Sequence, residues 1–297
     1  MNCGFVGILG LPNVGKSSLF NEILQDKISI VSPKPQTTRQ SLSGICTTDD
    51  YQLIFWDAPG FVNPKKGIFD FLAKEFDRVI ENSDILLIVI ACDQLESLAF
   101  QQALAKAKKS KKPLAYLFTK ADLPLSPYVT EFRESLDPRD SLVFDFSIKG
   151  ENKKENLETI LSTLAEQLPE SPQPLYDPDM ISLDKTRDIV AEFIREACFE
   201  LLQQEIPFGL GVIIKSFKHD QHILRIEANI LVEKENHKAI VIGKKGSQLK
   251  EIGKKAREQI EKFLGEKVFL GLHVAYKKNW QKDSNIMKEL GYDDRRR

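Results

Sequence analysis

A mainly parallel α/β domain with helices on both faces, followed by a smaller α+β domain, is the architecture this sequence predicts. Three observations carry it. From Cys3 to about Leu168, apolar strand-like runs alternate with helical patterns, the signature of a parallel sheet with crossover helices. Next, the prolines 169, 172, 174 and 178 fall in a stretch with almost no periodicity, where lost backbone donors favour extended chain. Beyond it the order becomes helix, two strands, two helices and a strand. The expected division is residues 1–170, a linker over 171–182 and a second domain over 183–297, and 297 residues suffice for two separate cores.

The first strand is the apolar run Phe5-Val6-Gly7-Ile8-Leu9, and a helix with an apolar face runs on through Ser18–Leu24. A polar stretch, Ser32 to Gln40, separates it from two strands, 42–47 and 52–56, joined as a hairpin by Asp49-Asp50. A helical pattern over 69–82 leads into the strand Ile85–Ala91, which is wholly apolar and far too short to span a membrane. Helix 95–109, strand 114–119, a short helix near 127–136, strand 142–146 and helix 153–168 complete the first domain. In the second, an amphipathic helix over 184–204 precedes strands 211–217 and 223–233, a short helix, a helix over about 247–264 and strand 268–276.

Composition narrows the class. Apolar residues make up 42% and charged residues 29%, as in soluble globular proteins. A net charge of −1 excludes a wholly basic nucleic-acid coat while leaving room for local patches. Cys3, Cys46, Cys92 and Cys198 are scattered, which is neither a disulfide framework nor a zinc site and fits a reducing cytosol. The histidines lack metal-ligand spacing. No signal peptide is expected, because the first strand starts almost at once.

Ligands of parallel sheets sit at the carboxyl ends of the strands, and the polar motifs fall there. Gly10-Leu11-Pro12-Asn13-Val14-Gly15-Lys16-Ser17 lies between the first strand and first helix, the context of a phosphate-binding loop. Its glycines let successive N–H groups of Asn13 to Ser18 face phosphate oxygens, with the helix dipole behind them. Lys16 would reach the β- and γ-phosphates, and the Ser17 hydroxyl would ligate Mg²⁺. Asp57-Ala58-Pro59-Gly60 follows a strand: Asp57 would hold the Mg²⁺ shell through water, and Gly60 would bring its N–H to the γ-phosphate. Thr37 and Thr38 lie in the polar stretch. Thr38 is expected to complete the Mg²⁺ shell only when a γ-phosphate is present, making the stretch a switch; a solvated loop is the plain alternative.

Base choice falls to Thr119-Lys120-Ala121-Asp122, where the carboxylate of Asp122 accepts from guanine N1–H and N2. Lys120 would lie over the base plane. Asn, whose amide bridges base and loop, is the usual residue where Thr119 stands. Ser147-Ile148-Lys149 follows the last strand, where a backbone N–H meets the guanine oxygen, and Ile148 replaces the commoner Ala. Together these motifs have the order and rough spacing of translation-factor-type GTPases.

A second site is expected at Ile242-Gly243-Lys244-Lys245-Gly246, between two helices. A Gly-x-x-Gly turn there is the device with which a KH domain clamps a single nucleic-acid strand. From His237 to Lys262 there are eight basic residues, Lys250 and Lys254 among them, against three acidic ones, a local net charge of +5. That is a nucleic-acid footprint on a near-neutral chain.

The whole chain resembles the Era family of bacterial GTPases: a P-loop GTPase domain, a short linker and a type II KH domain. The matching stretches are residues 10–17, Pro35-Gln36-Thr37-Thr38-Arg39, Asp184 to Glu196 with its Phe193-Ile194-Arg195-Glu196, Leu231-Val232-Glu233, Val241 to Gly246, and Leu290-Gly291-Tyr292. The resemblance implies GTP and GDP as ligands, binding to the 3′ region of small-subunit ribosomal RNA, and a role in assembling the 30S subunit. It also implies a cytoplasmic protein with peripheral contact at the inner membrane; a monomer is expected. The alternative class is an RNA-binding adaptor that holds guanine nucleotide and hardly hydrolyses it; a third, a P-loop ATPase or small-molecule kinase, is opposed by Asp122.

Where Ras-like enzymes place a water-orienting Gln, this chain has Phe61, so unaided turnover should be at or below the order of 10⁻² s⁻¹. GTPases that this chain resembles pair such an Asn with potassium, so the resemblance implies a potassium ion at Asn13 that supplies positive charge at the γ-phosphate. The plain alternative is that Asn13 only braces the loop.

Overall fold

The computed structural model describes every residue except 33, 35, 36, 65, 138, 140, 221, 222 and 293–297. Of the matching stretches, Pro35 and Gln36 therefore lie outside the described residues. The chain forms two compact units. The first comprises residues 1–29, 38–64 and 72–183; the second comprises 184–297 together with the short segments 30–37 and 65–71.

In the first unit, β1 (Asn2–Gly10), β2 (Leu42–Thr47), β3 (Tyr51–Asp57), β4 (Ile85–Ala91), β5 (Leu114–Thr119) and β6 (Leu142–Phe146) form one sheet in the order β2-β3-β1-β4-β5-β6. Only β2 is antiparallel, paired with β3 across the expected hairpin. Interleaved are α1 (Lys16–Leu24), α2 (Ile68–Asn82), α3 (Leu98–Lys109), α4 (Pro127–Glu134) and α5 (Lys153–Ala165). Every residue of β4 is buried. Leu86, Ile88 and Ile90 join Phe76, Val79, Phe100 and Ala103 of α2 and α3 in one cluster. By strand alternation Ile85, Leu87 and Val89 point to the opposite face, so both faces are covered. Each such burial is worth about 1.5–3 kcal/mol, which is why the strand tolerates no polar residue.

The helix expected from residue 95 begins only at Leu98. Residues 92–97 form a loop instead, tied to the loop after β5 by Ser126 Oγ donating to Gln94 O (2.5 Å) and Ser126 N to Cys92 O (2.8 Å). Helices expected to reach 136 and 168 stop at Glu134 and Ala165. The proline-rich stretch is extended and strapped to the first unit: Asn2 bridges Glu170, Tyr176 N donates to Gln52 Oε1 (2.9 Å), and Ile45 N donates to Ile181 O (3.0 Å).

The second unit holds α6 (Thr186–Leu201), β7 (Gly211–Asp220), β8 (Ile223–Val232), α7 (Glu235–Ile242), α8 (Ser247–Leu264), β9 (Val268–Tyr276) and α9 (Ser284–Glu289). Its sheet has the order β7-β8-β9, with β8 and β9 parallel. Ile252, Ala256 and Ile260 of α8 recur at intervals of four and are fully buried, as are Val190, Ile194 and Ala197 of α6; an apolar stripe at that spacing lies along one helix face. Asp283 caps α9 by accepting from Asn285 N and Ile286 N.

Candidate functional site

The loop from Gly10 to Ser17 joins β1 to α1. Asn13 and Gly15 both adopt positive φ (64° and 95°), curling the backbone around its own N–H groups. Lys16 is buried and its Nζ donates to Leu11 O (2.8 Å). Burial lowers its ammonium to about 8, against the opposing pull of the Asp57 carboxylate. Burial likewise pushes Asp57 up, against Lys16 and the hydroxyls of Ser17 and Ser29. A cation–carboxylate pair stripped of water in this way is arranged to receive further charged groups.

Three oxygens converge beside that pair. Ser17 Oγ donates to Asp57 Oδ2 (2.7 Å) and shares a hydrogen bond with Thr38 Oγ1 (2.9 Å). Ser29 Oγ donates to the same Asp57 Oδ2 (2.8 Å), while the buried Asp57 Oδ1 has no hydrogen-bond partner among the described residues. Two hydroxyls and a carboxylate with an open lone pair are a fitting donor set for a hard divalent cation holding its own water. Gly60 packs on the loop so closely that a Cβ there would lie 2.6 Å from Pro12 N; only glycine allows that approach. Phe61 turns into the core against Phe76, its N–H donating to Gly10 O (3.0 Å).

The base-side residues are equally interlocked. Thr119 Oγ1 lies 2.5 Å from Val14 O, so this hydroxyl ties β5 to the phosphate loop as an Asn would. Lys120, at φ 55°, forms an ion pair with Asp93 (2.9 Å). Ser147 Oγ donates to Asp122 Oδ1 (2.6 Å) and by that bond holds the Asp122 carboxyl below its usual range, keeping it an acceptor. Lys149 N donates to Ser147 Oγ (3.1 Å), which fixes the turn carrying Ile148, whose side chain is exposed. Val14 is buried, Ser18 is half-buried and Asn13 stands exposed at the loop's tip.

Thr37 and Thr38 part company. Thr38 belongs to the first unit and meets Ser17, whereas Thr37 belongs to the second. There Arg195 Nη2 donates to Thr37 O, Val31 N donates to Glu196 Oε1 (3.0 Å), and Gln259 of α8 donates to Glu196 Oε2 (3.1 Å). No sequence motif marks Ser29 or Asp93, and none gives Arg195 or Glu196 a role. Their signal is tertiary, save that Asn21, which accepts from Ile28 N and Ser29 N, sits in a recognisable helix.

The turn Gly243-Lys244-Lys245-Gly246 joins α7 to α8, with Gly243, Lys245 and Gly246 at positive φ. A cleft of about 470 Å³ opens beside it, lined by Gly246, Leu249, Lys250, Lys254, Leu270 and Leu272, with Gly253 and Arg257 also on its wall. Lys250, Lys254 and Arg257 recur at helical spacing, one cationic ridge over an apolar floor. A Cβ at Gly246 would meet nothing within 4 Å, whereas one at Gly243 would lie 2.6 Å from Gln248 Cβ. Lys244 and Lys245 are exposed, Ile242 is half-buried, and Lys255 faces away, paired with Glu200 of α6.

These features define a class: a P-loop GTPase domain joined in one chain to a type II KH domain. Residues 5–120 match the family model for a 50S ribosome-binding GTPase, and residues 205–281 match a KH domain. GTPase Era of Clostridium kluyveri is 40% identical over 97% of this chain and 98% of its own length. GTPase Era of Caldicellulosiruptor saccharolyticus is 41% identical, over 98% and 97%. Among solved structures, a point variant of Aquifex aeolicus Era bound to GDP·AlF4⁻ superposes with a TM-score of 0.91 at 33% identity, covering 98% of this chain and 99% of its own. A complex of Era with MgGDPNP and nucleotides 1506–1542 of 16S ribosomal RNA gives 0.90 at 32%, with the same coverage. The chain belongs to the Era family of GTPases.

Proposed function

We propose that this chain is a GTP-hydrolysing switch of small-subunit assembly, binding the 3′ region of small-subunit rRNA and the 30S particle through its KH cleft. The observation that carries the reading is the pairing, in one chain, of the Ser17–Thr38–Asp57 oxygen cluster with the cationic cleft beside Gly246. Lys16, Val14, Gly15 and Ser18 would cradle the phosphates, Gly60 would present its N–H to the γ-phosphate, and Asp122 and Ile148 would read the base. Ser17 and Thr38 would hold Mg²⁺ directly and Asp57 through water. The metal, when bound, neutralises charge on the β- and γ-phosphate oxygens. Thr38 would engage the metal only when the γ-phosphate is present, which would make the polar stretch around Thr37 and Thr38 the switch. In the KH cleft, bases would lie on Leu249, Leu270 and Leu272 while the ridge of Lys250, Lys254 and Arg257 tracks the backbone. The RNA segment in the solved Era complex supports the choice of RNA.

The cytoplasmic, monomeric state and a peripheral contact with the inner membrane belong to the same proposal; no described helix is long and apolar enough to cross a membrane. So does a potassium ion at Asn13, since Phe61 is committed to the core and places no polar group at the phosphates. Single-turnover GTP hydrolysis with the 3′ rRNA segment, in potassium against sodium chloride at matched ionic strength, tests both parts. RNA binding with faster turnover in potassium, lost in Asn13→Ala, is the expected result. Equal rates in the two salts remove the potassium, and turnover at background in both leaves the adaptor. Sequencing the RNA that co-purifies tests the partner.

A further inference from the structure

The threonine at position 119 has a chemical consequence for how guanine is read. An Asn amide carries two hydrogens, enough to serve a loop carbonyl and a base acceptor together. A threonine hydroxyl carries one. Thr119 is 4% exposed, and its Oγ1 lies 2.5 Å from Val14 O and 3.3 Å from Ile90 O. Both neighbours are carbonyls, which only accept, so the single proton goes to one of them wherever it is placed. Guanine N7 and O6 are themselves acceptors, and Thr119 has nothing left to donate to them.

Apart from the Ile148 N–H, which the proposed reading gives to guanine O6, the neighbouring donors of these loops have partners within the protein. Ala121 N donates to Phe146 O, Leu123 N to Lys120 O and Lys149 N to Ser147 Oγ, while Lys120 Nζ pairs with Asp93. On the acceptor side, Ser147 holds Oδ1 of Asp122, and Oδ2, with the exposed Lys149 Nζ 3.9 Å away, faces the N1–H and N2 hydrogens of the proposed base.

We infer that this GTPase reads guanine through its N1/N2 edge, by Asp122, and leaves N7 unread, because Thr119 is a positioning residue whose one proton ties β5 to the phosphate loop. The inference rests on guanine occupying this site. A nucleotide with carbon in place of N7 should therefore bind as well as its parent.

The test measures affinities of full-length protein for GDP, 7-deaza-GDP, IDP and ADP. In wild type, GDP and 7-deaza-GDP should agree within about twofold, and IDP, lacking the N2 amino group, should bind about 10- to 100-fold more weakly for its lost hydrogen bond to a carboxylate. Thr119→Val should weaken GDP and 7-deaza-GDP by the same factor, and Thr119→Ser should restore both. Thr119→Asn should acquire a preference for GDP over 7-deaza-GDP of about two- to tenfold, the worth of one neutral hydrogen bond. If that variant fails to fold, the wild-type ratio decides alone: 7-deaza-GDP bound fivefold or more weakly than GDP overturns the inference. ADP binding as well as GDP would instead overturn the guanine reading itself.

Discussion

The nucleotide site and the KH cleft solve opposite problems with the same twenty side chains. In the first, the functional groups are bonded to one another, several of them buried: Ser17 to Asp57, Thr119 to Val14, Ser147 to Asp122. In the second, the functional lysines are exposed, and among the described residues neither Lys250 nor Lys254 has an ion-pair partner. Discriminating a base and aligning a γ-phosphate need atoms fixed within a fraction of an ångström, which cross-bonded loops supply. Holding a phosphate chain needs charge within a screening length and a backbone that can be approached, which an exposed helix face supplies. Substitutions in the first site should therefore act steeply and locally, and in the second gradually and with salt.

The steepest break is Ser17→Ala. It removes a proposed Mg²⁺ ligand, leaves Thr38 Oγ1 without its partner and frees Asp57 Oδ2 from one of its two donors. Mg²⁺-dependent GTP affinity should fall at least about 100-fold, with RNA binding unchanged; titration with a fluorescent GTP analogue, with and without Mg²⁺, checks it. A loss under tenfold would mean that the oxygen cluster is not where the metal binds.

Next in size is Gly246→Asp. The position has room for a side chain but holds φ at 79°, so the change costs about 1 kcal/mol of stability and sets a carboxylate where phosphate should lie. RNA affinity should drop tenfold or more while GTP affinity stays the same. Gly246→Asn, close in size and tolerant of the same φ, should lose much less, and equal losses would assign the effect to bulk. Gly243 is the poorer probe, since any side chain there strikes Gln248.

How much of this was open to a reader of the sequence differs between the two sites for the same reason. Glycine spacing, the Asp-x-Pro-Gly turn and the run of buried β4 are local patterns, and they place the loops at the strand ends. The bonds that make the loops work join residues far apart in the chain: Ser29 to Asp57, Asp93 to Lys120, Arg195 to Thr37. No periodicity reports them. The seven-residue apolar strand was legible residue by residue, whereas α9, six residues long, is too short to show a period and depends on the Asp283 cap. Counting charges found the basic helix, and only the fold separates Lys254, on the cleft wall, from its neighbour Lys255, turned to Glu200.

That separation gives the smallest and most diagnostic effect. Each phosphate neutralised on a single strand contributes about 0.7 to the slope of log affinity against log salt. Lys250→Gln and Lys254→Gln should therefore each flatten the slope by about 0.7, because both line the cleft and neither is drawn to a carboxylate of the described chain. Lys255→Gln lies one residue away on the same helix and removes the same formal charge. Its ammonium is already paired with Glu200 and turned off the cleft, so its slope should stay within about 0.2 of wild type, the counterion being protein rather than RNA. Net charge alone predicts equal slopes for all three variants, and placement on the cleft predicts two against one. Fluorescence anisotropy of a single-stranded RNA over a range of potassium chloride concentrations tells them apart. Three equal slopes would show that the helix acts as a diffuse basic surface, and the contrast between a cross-bonded site and an exposed but ordered one would reduce to a contrast between order and none.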